Sequence, residues 1–322
     1  MSTEMTLTRA RPGEATVARL LATADVRLDG PRPWDLQVHD PGMFARVLAQ
    51  GSLGFGEAYM DGAWDAADLD GLVARVLAAG LDRRVLGWRD RWDALRARLI
   101  NLQAGRRAFV VGEQHYDLGN DLYRVMLGDR MVYSCGYWRQ AQDLEEAQEA
   151  KLDLVCRKLK LEPGQRVLDI GCGWGEALRY AAERYGVHGV GLTVSCEQAA
   201  YARERCRGLP IEIRLQDYRD FHEPVDRIFS IGMFEHVGVR NYAQYFELAA
   251  RNLPDDGLMV LHTIGANRST THTDPWIDRY IFPNSMLPSA AQITAALEGR
   301  FVLEDWHNFG ADYDRTLQAW RG

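Results

Sequence analysis

Arg166-Val-Leu-Asp-Ile-Gly-Cys-Gly-Trp-Gly175 restricts what this chain can become more than any other stretch of it. A short apolar run reaches an acidic residue, and three glycines then follow at alternate positions. A run of that length, bounded by glycine, reads as a strand buried on both faces. Glycines at 171, 173 and 175 permit positive φ and let the main chain approach a ligand where a Cβ would collide. The spacing is GxGxG, not the GxGxxG of dinucleotide folds, and it suits a ligand without a pyrophosphate. Asp169, at the strand's end, is placed to hold a cationic methionine moiety through charge-assisted hydrogen bonds. The pattern predicts an S-adenosylmethionine loop, with Asp169, Gly171, Cys172 and Gly173 at the cofactor.

The sequence around this loop alternates strand and helix. Residues 166–170, 187–193, 211–216, 225–231, 258–264 and 301–308 read as strands, and 177–185, 196–206, 242–252 and 289–297 as helices. That order implies an α/β, Rossmann-like sheet with ligands at the carboxyl ends of its strands. Earlier in the chain, apolar residues at 43–50 and 69–81 fall at three- and four-residue spacing, so the first hundred residues read as mainly helical. Two domains are therefore expected, a helical one over 1–105 and a catalytic one over 106–322.

Residues 83–102 carry one apolar stripe through Val85, Trp88, Trp92, Leu95, Leu99 and Leu102. Between Asp82 and Arg107 stand eight arginines and three aspartates, although the whole chain has a net charge of −7. Such a helix either packs on its own domain with a solvated arginine face or meets lipid headgroups with tryptophan at the interface. The acidic balance argues against nonspecific nucleic-acid binding. No run reaches the eighteen apolar residues of a membrane span, and the amino terminus lacks a leader pattern. Five cysteines without CxxC spacing read as free thiols of a cytoplasmic protein, and no residue is assigned to a metal.

The second strand does not end in the acidic residue that commonly grips ribose hydroxyls. It runs Gly191-Leu-Thr-Val-Ser-Cys-Glu-Gln198, so Thr193 and Gln198 are the candidate ribose partners, with Glu197 competing and Val194 also placed at the cofactor. After the third strand, Gln216-Asp-Tyr218 offers a carboxylate for an adenine amino group and a ring to stack on it.

Several longer motifs make a family recognisable. Gly54-Phe-Gly-Glu-Ala-Tyr-Met-Asp-Gly62, Gln114-His-Tyr-Asp-Leu-Gly-Asn-Asp-Leu122 and Met131-Val-Tyr-Ser-Cys-Gly-Tyr-Trp138 precede the glycine loop. Phe234-Glu-His-Val-Gly238 and Asp312-Tyr-Asp-Arg-Thr-Leu317 follow it. Together they resemble the cyclopropane-fatty-acyl-phospholipid synthases, from about Leu53 to the last residue. The resemblance implies methyl transfer from S-adenosylmethionine to a cis double bond of an unsaturated phospholipid, followed by closure of a cyclopropane. It also implies a bicarbonate ion as base, held by Cys135, Glu235, His262, Tyr313 and the backbone of Ile264. Tyr133 and Ser134 would border the methionine end of the cofactor. Residues 1–105 would dock lipid at the inner membrane face and form a homodimer.

Chemistry agrees with that assignment. An alkene is a weak nucleophile, so catalysis must rest on positioning and on stabilising the cation that methylation creates. Tyr133, Tyr137, Trp138 and Phe234 supply aromatic faces for it. Glu235 beside an anion must share a proton, because two bare negative charges in contact repel. Alone, Cys135 or Tyr313 reads as a packing residue and His236 as a capping or core histidine. Relatives continue beyond residue 322 with a further strand expected beside 301–308, so a shortened, less stable and weakly active chain is one expectation. A methyl- or methylene-branched product and an inactive lipid- or cofactor-binding fragment are the alternatives.

Overall fold

The computed structural model describes residues 13–84 and 120–321. The tryptophan-arginine stripe from residue 85 onward, the boundary expected near 105 and most of the Gln114–Leu122 motif lie outside those residues. Chain contacts separate two units: Met1–Ile100 with Asp274–Ile281, and Asn101–Thr273 with Phe282–Gly322. Residues 274–281, expected in the catalytic domain, thus belong to the first unit.

That unit is helical, with α1 at Glu14–Ala22, α2 at Gly42–Met60, α3 at Leu69–Ala78 and a single turn, α4, at Leu81–Arg84. A two-residue ladder pairs β1 (Gln37–Val38) with β2 (Trp64–Asp65). The later helix α10, Pro275–Tyr280, packs on α2 and explains the Gly54–Gly62 motif. A Cβ at Gly56 would fall 2.3 Å from Trp276 Cδ1, so only glycine admits that ring. One residue on, Glu57 accepts from Arg46 (2.7 Å), Arg279 (3.1 Å) and Tyr280 Oη (2.9 Å).

In the second unit, α5 (Asn120–Leu127) and α6 (Leu144–Lys158) precede a five-stranded sheet. The strands are β3 (Arg166–Ile170), β4 (His188–Thr193), β5 (Ile211–Leu215), β6 (Arg227–Ile231) and β7 (Leu258–His262). Their order is β5-β4-β3-β6-β7, and every pairing is parallel. Helices α7 (Glu176–Tyr185), α8 (Cys196–Arg205), α9 (Tyr242–Asn252), α11 (Ala290–Leu297) and α12 (Asp312–Arg321) complete the unit. Two apolar clusters flank the sheet, one on Leu168, Ile228 and Phe246 and the other on Val167, Leu178 and Phe229. This is the expected Rossmann-like α/β fold. Asp143, Ser195 and Ser289 start α6, α8 and α11 by accepting from backbone N–H groups, as helix ends require.

Residues 301–308 do not form the expected strand. Phe301, Val302, Leu303 and Trp306 give the segment strand-like composition, but no ladder partner reaches it among the described residues, and Val302 is 86% exposed. A strand without a neighbour leaves its backbone groups to water. No helix among the described residues is long and apolar enough to cross a membrane.

Candidate active site

The order of strand addition reverses at β3, with β4 on one side and β6 on the other. Parallel sheets open a crevice at the carboxyl ends of such strands. One cavity lies there, and all twelve residues expected at the cofactor line it: Tyr133, Ser134, Asp169, Gly171, Cys172, Gly173, Thr193, Val194, Gln198, Gln216, Asp217 and Tyr218.

The glycines divide their labour. Gly171 has φ +90°, and a Cβ there would lie 2.6 Å from the Met233 side chain, so this glycine lets two strand-end loops close together. Gly173 has φ +53°, and a Cβ there would meet no protein atom within 4 Å. A side chain at 173 would therefore occupy ligand space, whereas Gly175 (φ +86°) starts α7. Asp169 is buried, and its Oδ1 has no hydrogen-bond partner among the described residues. Burial pushes its carboxyl well above the usual range, against the opposing charge of Lys151. An orphaned buried acid and a cleared backbone fit the cationic methionine end of S-adenosylmethionine.

At the other end of the cavity, Thr193 Oγ1 donates to Gln198 Oε1 at 3.0 Å and accepts from Ser195 N at 3.2 Å. Asp217 is more committed than its spacing implied. Its Oδ1 accepts from Arg219 N (3.0 Å) and Nε (2.8 Å), and its Oδ2 accepts from the Arg219 guanidinium. Tyr218 meets Tyr245 edge-on at 5.4 Å.

Segment 133–138 is clamped from both sides. From α6, Gln148 Nε2 donates to Ser134 O (2.8 Å) and Lys151 Nζ to Ser134 Oγ (2.8 Å). From α12, Thr316 Oγ1 accepts from Gly136 N (3.1 Å) and Trp138 Nε1 (2.8 Å), while Asp312 accepts from Trp138 N (2.7 Å). Burial pushes the Cys135 thiol up to about 11, with the Thr316 hydroxyl opposing, so it stays protonated.

The five residues expected to do chemistry do not line the cofactor cavity. Glu235 and Ile264 are joined directly, the Ile264 N–H donating to Glu235 Oε1 at 2.7 Å. Glu235 Oε2 and His262 Nδ1 are buried without partners among the described residues. Burial raises Glu235 against the Ile264 N–H and pushes His262 down to about 3, so that ring is neutral. Burial also raises the Tyr313 phenol, helped by Tyr133, Glu235 and Cys135 close by. Burial thus favours the protonated form at Cys135, Tyr313 and Glu235 and the neutral ring at His262.

Two expected aromatic faces are structural instead. Phe234 stacks on Tyr242 at 4.2 Å inside the core, and Trp138 lies under Arg315 at 4.4 Å. Tyr133 does line the cavity and lies 5.2 Å from Trp320, which spacing did not single out. Tyr137 and His262 each lie 5.4 Å from Phe309, which was also missed. His236 lines the cavity with its ring 6.0 Å from Phe282. Lys151 escaped sequence reading as well; the available signal was a lysine in register with the buried Ala147, Leu152 and Val155 of α6.

Comparison with known proteins bears on this site. The profile of the mycolic acid cyclopropane synthetase family matches residues 103–322. The cyclopropane-fatty-acyl-phospholipid synthase of Escherichia coli K12 is 53% identical over 302 residues, 94% of this chain and 79% of that enzyme. Among solved structures, the cyclopropane synthase MmaA2 of Mycobacterium tuberculosis superposes with a TM-score of 0.62 at 37% identity, covering 66% of this chain and 81% of that one. The mycolic acid cyclopropane synthase CmaA1, solved with SAH and CTAB, gives a TM-score of 0.61 at 37% identity over the same shares.

Proposed function

Because the chain belongs to the mycolic acid cyclopropane synthetase family, we propose that it closes cyclopropane rings on the cis double bonds of phospholipid acyl chains. It is an S-adenosylmethionine-dependent methyltransferase by that membership. The observation that carries the reading is two buried polar atoms left open, Glu235 Oε2 and His262 Nδ1, with the Tyr313 phenol interacting both with Glu235 and with Tyr133 of the cofactor cavity. When bound, S-adenosylmethionine supplies an electrophilic methyl group.

Asp169 holds the cationic end of that molecule, and Gly173 leaves it room. Tyr133 and Trp320 present ring faces that stabilise positive charge without becoming alkylated. We assign a bicarbonate ion to Cys135, Glu235, His262, Tyr313 and the Ile264 backbone, where it would supply a base for the proton lost on ring closure. The fit rests on protonation: Cys135, Tyr313 and a Glu235 of raised pKa all offer protons to an anion. The Ile264 N–H is bonded to Glu235 Oε1 and would be shared with the ion. Lipid docking and homodimer formation by residues 1–105 are proposed on the resemblance, and vesicle sedimentation and light scattering test them.

Incubation with S-adenosylmethionine and vesicles of unsaturated phospholipid is the direct test. Mass spectrometry should show acyl chains heavier by one CH2, with chromatographic retention matching a cyclopropane standard. Retention matching a methylene-branched standard would replace the reaction, and no mass gain would leave a binding protein.

A further inference from the structure

The buried ammonium of Lys151 meets a hydroxyl but no counter-charge among the described residues. Lys151 is 1% exposed and lines the cofactor cavity, and its Nζ donates to Ser134 Oγ at 2.8 Å. No carboxylate among the described residues lies within ion-pair distance of it. Two acids act on it through space without pairing. Glu176, on α7, is held by Arg130 (2.9 Å), Arg179 (3.4 Å) and Arg205 (2.9 Å). Asp169, on β3, interacts with Lys151 through space without pairing, and its Oδ1 is unpartnered. The other polar groups nearby are the Cys135 thiol and the neutral His262 ring.

A lone buried cation costs a protein more than an apolar side chain of the same volume, so an unpaired one marks a site that meets an anion. Desolvation lowers the Lys151 pKa to about 7, the response of an ammonium that lacks its counter-charge. An acid at the end of β3 and an ammonium on α6 therefore face one cavity from different elements.

We infer that Lys151 is the binding partner of the methionine carboxylate of S-adenosylmethionine, so that Asp169 and Lys151 together select the cofactor as a zwitterion. The inference rests on the cavity taking S-adenosylmethionine. Lys151 also holds the Ser134 hydroxyl, which ties the carboxylate contact to the segment carrying Tyr133 and Cys135. Its charge then serves affinity and selectivity for the cofactor.

Calorimetric titration of the full chain with S-adenosylmethionine and with decarboxylated S-adenosylmethionine tests this. The unaltered protein should prefer the carboxylated cofactor by about 10- to 100-fold, the range of one charge-assisted contact. Lys151→Met should bring the two affinities to near parity, and Asp169→Asn should weaken both equally. Lys151→Gln, which keeps a donor toward Ser134, serves if the methionine variant does not fold. No preference in the unaltered protein, or a preference surviving in the Lys151 variants, overturns the inference. Binding of neither ligand would instead overturn the cofactor reading on which it rests.

Discussion

The two halves of the site are built from different materials. The cofactor half is made by main chain: a buried strand, positive-φ glycines and side chains bonded to one another, as Thr193 is to Gln198. The half around Glu235 is made by side chains from the turn after β6, from β7, the 133–138 segment and α12, and two of them keep buried polar atoms unpaired among the described residues. The first is a preformed shape. The second is unsatisfied chemistry, held at a cost in stability and useful only when something polar completes it. Changes in the first half should therefore act on binding and folding, and changes in the second on turnover.

The largest expected effect is on turnover in the second half. His262→Ala should lower kcat by about 10²- to 10⁴-fold, the range for a group at the proton-transfer centre, with cofactor affinity unchanged in calorimetry. In the first half, Gly171→Val forces a Cβ toward Met233 at a φ that side chains rarely adopt. Thermal denaturation should show a loss of about 1–3 kcal/mol, and the cofactor titration should weaken with it. Asp169→Asn should cost about 10- to 100-fold in cofactor affinity.

The pH dependence sharpens the contrast. The folded protein keeps His262 neutral, with a pKa pushed down from 6.5 to about 3, so the unfolded chain binds the proton more readily. Stability tied to this group is complete above pH 6.5 and is lost as pH falls toward 3. Denaturant melts across that window should be flatter for His262→Gln than for the unaltered protein. Glu235 has the opposite sign: its raised pKa means stability is lost as pH rises, so Glu235→Gln should stabilise the fold at neutral pH. The smallest effect is expected for Thr193→Val, about 0.5–1.5 kcal/mol for one lost hydrogen bond, seen in cofactor affinity.

The same division decided what could be read from sequence. Strand β3, its glycine loop, α7, β4 and α8 follow local rules of periodicity, caps and turns, and they stand where those rules put them. Helix α6 went unread because Gln148 and Lys151 occupy its buried face, interrupting the apolar rhythm with the groups that hold Ser134. Residues 301–308 were misread because Phe301, Val302 and Leu303 satisfy strand composition, while a strand also needs a neighbour that composition does not reveal. Helix α10 was missed because six residues carry little periodicity, and its place in the first unit depends on Gly56 and Glu57, more than two hundred residues away. The Cys135–Glu235–His262–Tyr313 set came from family resemblance. Nothing local links residues so far apart, and the geometry supplied what resemblance could not, the orphaned atoms of Glu235 and His262.

The direct measurement is Glu235→Gln, assayed for cofactor affinity by calorimetry and for lipid product by mass spectrometry on the same preparation. Affinity close to that of the unaltered protein, with product abolished, is the predicted result. Product formed at the normal rate, or affinity lost in step with turnover, would contradict the separation of the two halves.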